Sequence, residues 1–262
     1  MSSGLLDRVE RVLERERVWS AYALADLDPP HTAHAHWLAD KDAVVLSFAG
    51  FDPPVLFAVG DPEQASRLLA QVPAGRHMFT LMATHRALLE DRVRESHETI
   101  MWRMMLRPEA FDASLAGGAQ ALSADDLPQI MTLFEDFADR PDAFDAGQLA
   151  DHAFYGVWYG RQLVAVAGTH VVSEARRVAA VGNVFTHPGH RGRGLATITT
   201  AAVVQELLRR PGMQTIVLNV ARDNEPAVRC YERLGFWPFC AYHEGVGQLG
   251  PASHSPQEQK VR

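Results

Sequence analysis

Cysteine and lysine are nearly missing from this chain of 262 residues, and each scarcity closes off a class of chemistry. Two cysteines, Cys230 and Cys240, are too few for a disulfide framework or a thiolate zinc site. The two lysines, Lys41 and Lys260, stand in no Gly-Lys-Ser/Thr sequence, which removes the phosphate loop of the nucleoside triphosphatases. Basic residues are in deficit overall. With 25 Lys and Arg against 32 Asp and Glu the net charge is -7, so no general positive field draws a phosphate backbone or an anionic bilayer. Nucleic acid is therefore not an expected partner. Long apolar runs are also lacking: a membrane helix needs about 20 apolar residues in a row, and stretches such as residues 163–167 fall far short of that. The N-terminus carries Asp7, Arg8 and Glu10 where a secretion signal would need an apolar core. A cytoplasmic protein that makes no use of a membrane is the expectation.

What is present is the composition of an ordinary globular protein, 47% hydrophobic and 22% charged, enough to bury a sizeable core. The length allows one to two domains. Leu5, Leu6, Val9, Val12, Leu13 and Val18 recur at helical spacing among charged residues, predicting an amphipathic opening helix. Short apolar segments at 43–48 and 55–59, parted by Gly50 and Asp52-Pro53-Pro54, predict paired strands, and Asp61-Pro62 predicts a capped helix start. Further strand, helix and strand are expected over 77–82, 84–90 and 100–106. Residues 107–118, rich in Ala, Gly, Ser and Pro, suggest a linker. The expected division is thus an N-terminal α/β domain over 1–118 and a second domain over 119–262.

In that second part Ser123 and Asp126 have the spacing of a capping pair ahead of a helical stripe formed by Leu127, Ile130, Met131 and Phe134. A looser helical stretch is expected over 144–150. Residues 154–159 and 162–172, joined by Gly160-Arg161, predict a hairpin, and 178–186 a third antiparallel strand. Helices over 194–209 and 224–234 alternate with strands over 216–220 and 236–242, and the polar tail 251–262 is expected to fray.

The chemistry is concentrated in Gly182-Asn183-Val184-Phe185-Thr186-His187-Pro188-Gly189-His190-Arg191-Gly192-Arg193-Gly194-Leu195-Ala196, a strand that empties through a glycine-rich turn into a helix. A helix N-terminus presents unpaired N–H groups and a partial positive charge, and glycines let an anion approach the main chain. A dinucleotide fingerprint fails here, since Thr197 occupies the third glycine position and the next strand ends Leu218-Asn219-Val220-Ala221 without an acidic residue for a ribose.

Arg191-x-x-Gly194-x-Ala196, between a strand and a helix, resembles the acyl-CoA signature Gln/Arg-x-x-Gly-x-Gly/Ala of the GNAT superfamily. Downstream, Leu218-Asn219-Val220, Asn224-Glu225-Pro226-Ala227 and Cys230-Tyr231-Glu232-Arg233-Leu234-Gly235-Phe236 resemble that family's second signature, a splayed strand leading to an Asn-started helix. The likeness covers roughly residues 120–245. It implies an α/β fold of the GNAT acyl-CoA N-acyltransferase type, with a mixed, mostly antiparallel sheet flanked by helices and preceded by a smaller α/β domain.

The resemblance also implies roles. Backbone amides of Arg191, Gly192, Arg193, Gly194, Leu195 and Ala196 would hold the pyrophosphate of acetyl-CoA or another acyl-CoA. Val184, Phe185 and Thr186 would offer main-chain groups to the pantetheine arm and thioester, Asn219 would stand where the strands part, and Asn224 would bond the pantetheine or cap its helix. Tyr231 would act as general acid toward the departing thiolate. The reaction implied is direct attack of a primary amine through a tetrahedral intermediate, and the alternative is an inactive acyl-CoA-binding module of the same fold. No base is identified among His170, His187 and Glu174. His31, His34 and His36 lack an interleaved acidic ligand, so no metal is expected. The whole chain resembles two-domain GNAT proteins whose first half is a degenerate copy. That half shows no second acyl-CoA signature and would wall the acceptor cleft or pair with another copy in a homodimer. A small-molecule amine is favoured over a protein as acceptor.

Overall fold

The computed structural model describes residues 3–135, 137, 140, 141, 144–151 and 153–251, and the tail expected to fray falls, beyond Pro251, outside them. In chain order the elements open with α1 (Ser3–Arg15), α2 (Ala21–Ala25), β1 (Ala35–Ala39), β2 (Ala43–Phe48), β3 (Val55–Gly60), α3 (Pro62–Leu69), β4 (Gly75–Leu81), α4 (Ala83–Ala87) and β5 (Val93–Leu106). They continue with β6 (Gln120–Ala121), α5 (Leu127–Phe134), α6 (Gln148–Asp151), β7 (Tyr155–Tyr159), β8 (Gln162–Ser173) and β9 (Val178–Thr186). The last are α7 (Leu195–Arg209), β10 (Thr215–Ala221), α8 (Glu225–Arg233) and β11 (Phe236–Leu249).

Contacts group these into two compact units, one formed by residues 1–16, 29–100 and 242–262, the other by 17–28 and 101–241. This grouping differs from the division at 118/119 suggested by composition. Strands β5 and β11, 14 residues each, run through both units, so at 100/101 and 241/242 the chain passes between them in mid-strand. The segment 107–118, expected as a linker, packs within the second unit. Its Phe111, Leu115 and Ala116 lie against that unit's core, because these apolar side chains recur among the small residues and have a surface to cover.

In the first unit, β1 and β2 pair antiparallel, as do β2 and β3, while β3 and β4 run parallel. Its core contains Val45, Leu56, Leu69, Phe79, Leu81 and Leu89. Helix α3 begins as its sequence requires, with Asp61 Oδ1 accepting from Gln64 N at 3.0 Å and proline in the first turn. Strand β1 and residues 93–99 of β5 were not legible in the sequence, and β11 extends well past the expected end at 242.

The second unit holds the strand order β5-β10-β9-β8-β7-β6. Strands β7, β8 and β9 are successive antiparallel neighbours, β9 and β10 are parallel, and β10 is antiparallel to β5. On one face lie α7 and α8, over Met104, Ala179, Val181, Ile216, Leu218 and Val220. The other face carries α5 over Leu163, Val166 and Phe185. The capping pair ahead of α5 forms as expected, with Asp126 Oδ2 accepting from Ser123 N at 2.9 Å. The helix expected over 144–150 is reduced to the single turn of α6.

Candidate active site

The site begins where two parallel strands stop pairing. The register of β9 with β10 runs from Val178 and Thr215 to Val181 and Leu218, yet β9 continues to Thr186 and β10 to Ala221. Beyond Val181 and Leu218 the strands part. Asn219 is the first β10 residue past the last pair. Its neighbours Leu218 and Val220 face α7 and α8, so strand alternation turns Asn219 to the opposite face, where its buried Oδ1 has no hydrogen-bond partner.

A bulge shapes the other lip. Val166 pairs with Phe185 and Gly168 with Gly182, so two β9 residues, Asn183 and Val184, stand against the single Ala167. Asn183 has φ +52°, the left-handed region that asparagine tolerates better than most residues. The extra residue restores the alternation: Val181 and Val184 both face the α7 side, while Phe185 packs toward α5. His187 N donates to Val164 O at 2.9 Å, toward β8, so alternation directs the peptide groups of Phe185 to β8 and those of Val184 and Thr186 to the open edge. The main chain of Phe185 is thus taken up by pairing with β8, where main-chain groups for an acyl-CoA had been expected, and its ring packs toward α5.

The loop that follows is held by its own polar groups. His187 Nδ1 accepts from Gly189 N at 3.1 Å, and Arg191 folds back so that its Nε donates to Thr186 O at 3.0 Å and its guanidinium lies 5.6 Å from the centre of the Phe185 ring. Arg193 reaches Gly189 O at 3.4 Å. Gly192 and Gly194 have φ of +76° and +75°, with nothing within 4 Å of where a Cβ would stand. Helix α7 then starts without a side-chain cap, leaving the first-turn amides of Leu195 and Ala196 available to an anion.

Helix α8 completes the constellation. Asn224 caps it, Oδ1 accepting from Ala227 N at 3.3 Å, one of the two roles the sequence left open. Cys230 Sγ and Thr197 Oγ1 lie 3.2 Å apart, joining α8 to α7. Tyr231 is buried against Phe236, with ring centres 6.2 Å apart. Burial pushes its phenol above the ordinary tyrosine range, with the neighbouring Cys230 adding to the effect, so it holds its proton at neutral pH.

The three candidate bases separate. Glu174 is exposed in the β8–β9 turn near Arg210, remote from the parting strands. His187 is spent on the loop and also borders a cleft of about 720 Å³ lined by Thr132, Tyr159 and Arg161. His170 alone lies at the gap, its ring on the Cα of Gly182, where any Cβ would meet it at 2.3 Å, and its Nδ1 3.0 Å from Tyr22 Oη. Tyr22 comes from the N-terminal segment and carried no sequence signal. Asn183 could have been noticed only as a φ-tolerant residue ahead of the loop.

Residues 122–236 match the Acetyltransferase (GNAT) family. This segment is a GNAT acetyltransferase domain. Over 75 residues the chain is 37% identical to a mycothiol acetyltransferase of Corynebacterium aurimucosum, a match covering 27% of this chain and 24% of that protein. Over 53 residues it is 45% identical to N-alpha-acetyltransferase 30 of Schizosaccharomyces pombe, covering 20% and 33% respectively. The chain therefore spans only a quarter to a third of the curated relatives it matches. A tandem GNAT protein from the clavulanic acid biosynthesis pathway shares the fold over 96% of this chain and 97% of its own, with 13% identity and a TM-score of 0.57. Among the described residues no helix is long and apolar enough to cross a membrane, and no group of three or more His, Cys, Asp or Glu is placed to hold a metal ion.

Proposed function

We propose that this protein is an acyl-CoA-dependent N-acyltransferase that moves an acetyl or related acyl group to a primary amine. The reading is carried by one observation: the β9–β10 register ends at Val181 and Leu218, and the chain leaves that gap directly into a glycine loop and an uncapped helix start. The gap suits the extended pantetheine arm, with main-chain groups of Val184 and Thr186 along one side and Asn219 on the other. The diphosphate would rest on the amides from Arg191 to Ala196, and the Asn224 carboxamide would border the arm. Residues 1–118 would carry no cofactor of their own.

In this arrangement a neutral amine attacks the thioester carbonyl, a main-chain N–H at the bulge stabilises the tetrahedral oxyanion, and the C–S bond breaks. Tyr231, kept protonated by burial, supplies a proton to the departing thiolate, and the proton shed by the nitrogen as the amide forms returns through water to the tyrosinate, leaving amide, thiol and neutral Tyr231. The two relatives are named differently by acceptor, one for mycothiol and one for an N-alpha position. A small-molecule amine is the reading we favour, in a cytoplasmic setting, with pairing into a homodimer as a role for the first half of the chain.

The test is thiol release from acetyl-CoA across a panel of amines, alongside direct titration of acetyl-CoA. Tyr231→Phe should lower turnover about 100-fold or more while leaving acetyl-CoA affinity within about twofold. Tight acetyl-CoA binding with no thiol release on any amine would leave only a binding module.

A further inference from the structure

Asn183 has a polar group that neither the bulge nor the acyl-CoA reading uses. It is only 3% exposed, and its Nδ2 donates to Gln148 Oε1 at 3.0 Å. The orientation of both amides is set by their surroundings: Gln148 Nε2 donates to His170 O at 3.4 Å, and Gln148 Oε1 also accepts from Asp145 N at 3.3 Å. Gln148 therefore presents its oxygen to Asn183, Asn183 must turn its nitrogen toward it, and Asn183 Oδ1 is left buried without a partner. A buried carbonyl oxygen with no donor is uncommon in folded proteins and marks a place where a donor is missing.

Its location says which donor. Asn183 is the second β9 residue past the last β9–β10 pair, so it stands at the mouth of the gap where the thioester would lie. Two observations put it on the face away from α7 and α8: its bond to Gln148 of α6, and the bulge, which leaves Val184 as the residue that faces those helices. The pyrophosphate loop opens into α7, on the other face. The acyl-CoA would thus have its anchorage on one side, while Asn183 lies buried on the other, the side left for a nucleophile, which must displace what covers the Asn183 oxygen to reach it.

We propose that Asn183 Oδ1 accepts a hydrogen bond from an N–H of the acceptor, seating the attacking nitrogen at the thioester, with Gln148 as the positioning residue that holds the carboxamide in that orientation. The inference rests on the acyl-transfer reading above. It commits the acceptor to a nitrogen nucleophile that keeps at least one N–H after losing its proton, which disfavours hydroxyl and thiol acceptors of similar shape. No proton or bond is moved by Asn183 itself: it fixes the nitrogen while the N–C bond forms and the C–S bond breaks.

The decisive variant is Asn183→Gly, because glycine accepts φ +52° at no steric cost and so preserves the bulge while deleting the carboxamide. The acceptor KM should rise roughly 3- to 10-fold, as expected for loss of a hydrogen bond between neutral groups. The acetyl-CoA dissociation constant, measured by calorimetry, should stay within about twofold of wild type. An unchanged acceptor KM overturns the proposal and leaves Asn183 as a backbone device; a matching loss of acetyl-CoA affinity overturns it too. Gln148→Leu keeps the bulge residue itself and guards against a folding failure. It should raise the acceptor KM in the same direction by a smaller factor, and an unchanged KM in the folded variant counts against the proposal. A ternary complex in which water, not acceptor nitrogen, occupies Asn183 Oδ1 would likewise sink it. Failure of the acyl-transfer reading shows separately, as a wild-type protein that releases no thiol with any amine.

Discussion

At the scale of single residues the site depends on backbone conformations that few side chains permit. Gly192 and Gly194 both lie in the left-handed region with open space around them, so a substitution there meets no clash but must adopt a conformation costing an L-residue about 1–2 kcal/mol. The cost falls on the loop whose amides would hold the diphosphate. Gly194→Val is expected to weaken acetyl-CoA binding at least 10-fold while the protein stays folded, read by calorimetry beside circular dichroism; undiminished affinity would remove the loop from the binding site. Gly182 is constrained differently, by the His170 ring seated on it. The sequence places Gly192 and Gly194 in the motif plainly, but nothing in it distinguishes Gly182, because the contact is made from a residue twelve positions away on another strand.

Among the elements, the helices were the most legible. Helix α7 was expected over 194–209 and spans Leu195–Arg209; α8 ends before Gly235, which takes the left-handed φ of +90° expected of a closing glycine. The 3-10 turn Ala124–Asp126 that leads into α5 starts from the capping box that Ser123 and Asp126 advertise. Ser123→Ala removes the hydroxyl that accepts from Asp125 N at 3.3 Å and should cost roughly 1 kcal/mol, seen as a lower urea midpoint with an unchanged slope. A shift below the error of the midpoint would show the cap to be idle. Strands were harder. The run 93–99 of β5 alternates no clear apolar face in the sequence, and its burial pattern is mostly exposed, so its strand character comes from pairing alone. The β9 bulge was equally hidden, since register is a property of two strands and not of one.

For the whole molecule the chain's course outweighs its composition. Residues 17–28 precede the first unit's strands yet belong to the second unit, where α2 packs on β8 and β9. That burial has a titration consequence. Asp26, at the end of α2, has its carboxyl pushed up to about 8 from an ordinary 3.8, by burial. A folded-state pKa raised above the unfolded one means that stability from this site is fully present below about pH 4. It is lost progressively as pH rises toward 8, because the unfolded chain releases the proton first. Asp26→Asn, neutral throughout, should therefore gain on wild type as pH rises: nearly level with it at pH 4 and distinctly more stable at pH 8 by thermal melting. An equal difference at both pH values would refute the assignment.

Local chemistry by itself determined helices α3, α5, α7 and α8 and the glycine-rich loop, because each is written in residues close together in the chain. Only the tertiary structure decided where β9 and β10 part, which peptide groups of residues 184–186 turn to the open edge, that Tyr22 and His170 meet, and that Asn183 keeps an unsatisfied oxygen. These depend on which strands become neighbours and in what register. Register is fixed by the summed burial and hydrogen bonding of distant segments, which no local window of sequence contains.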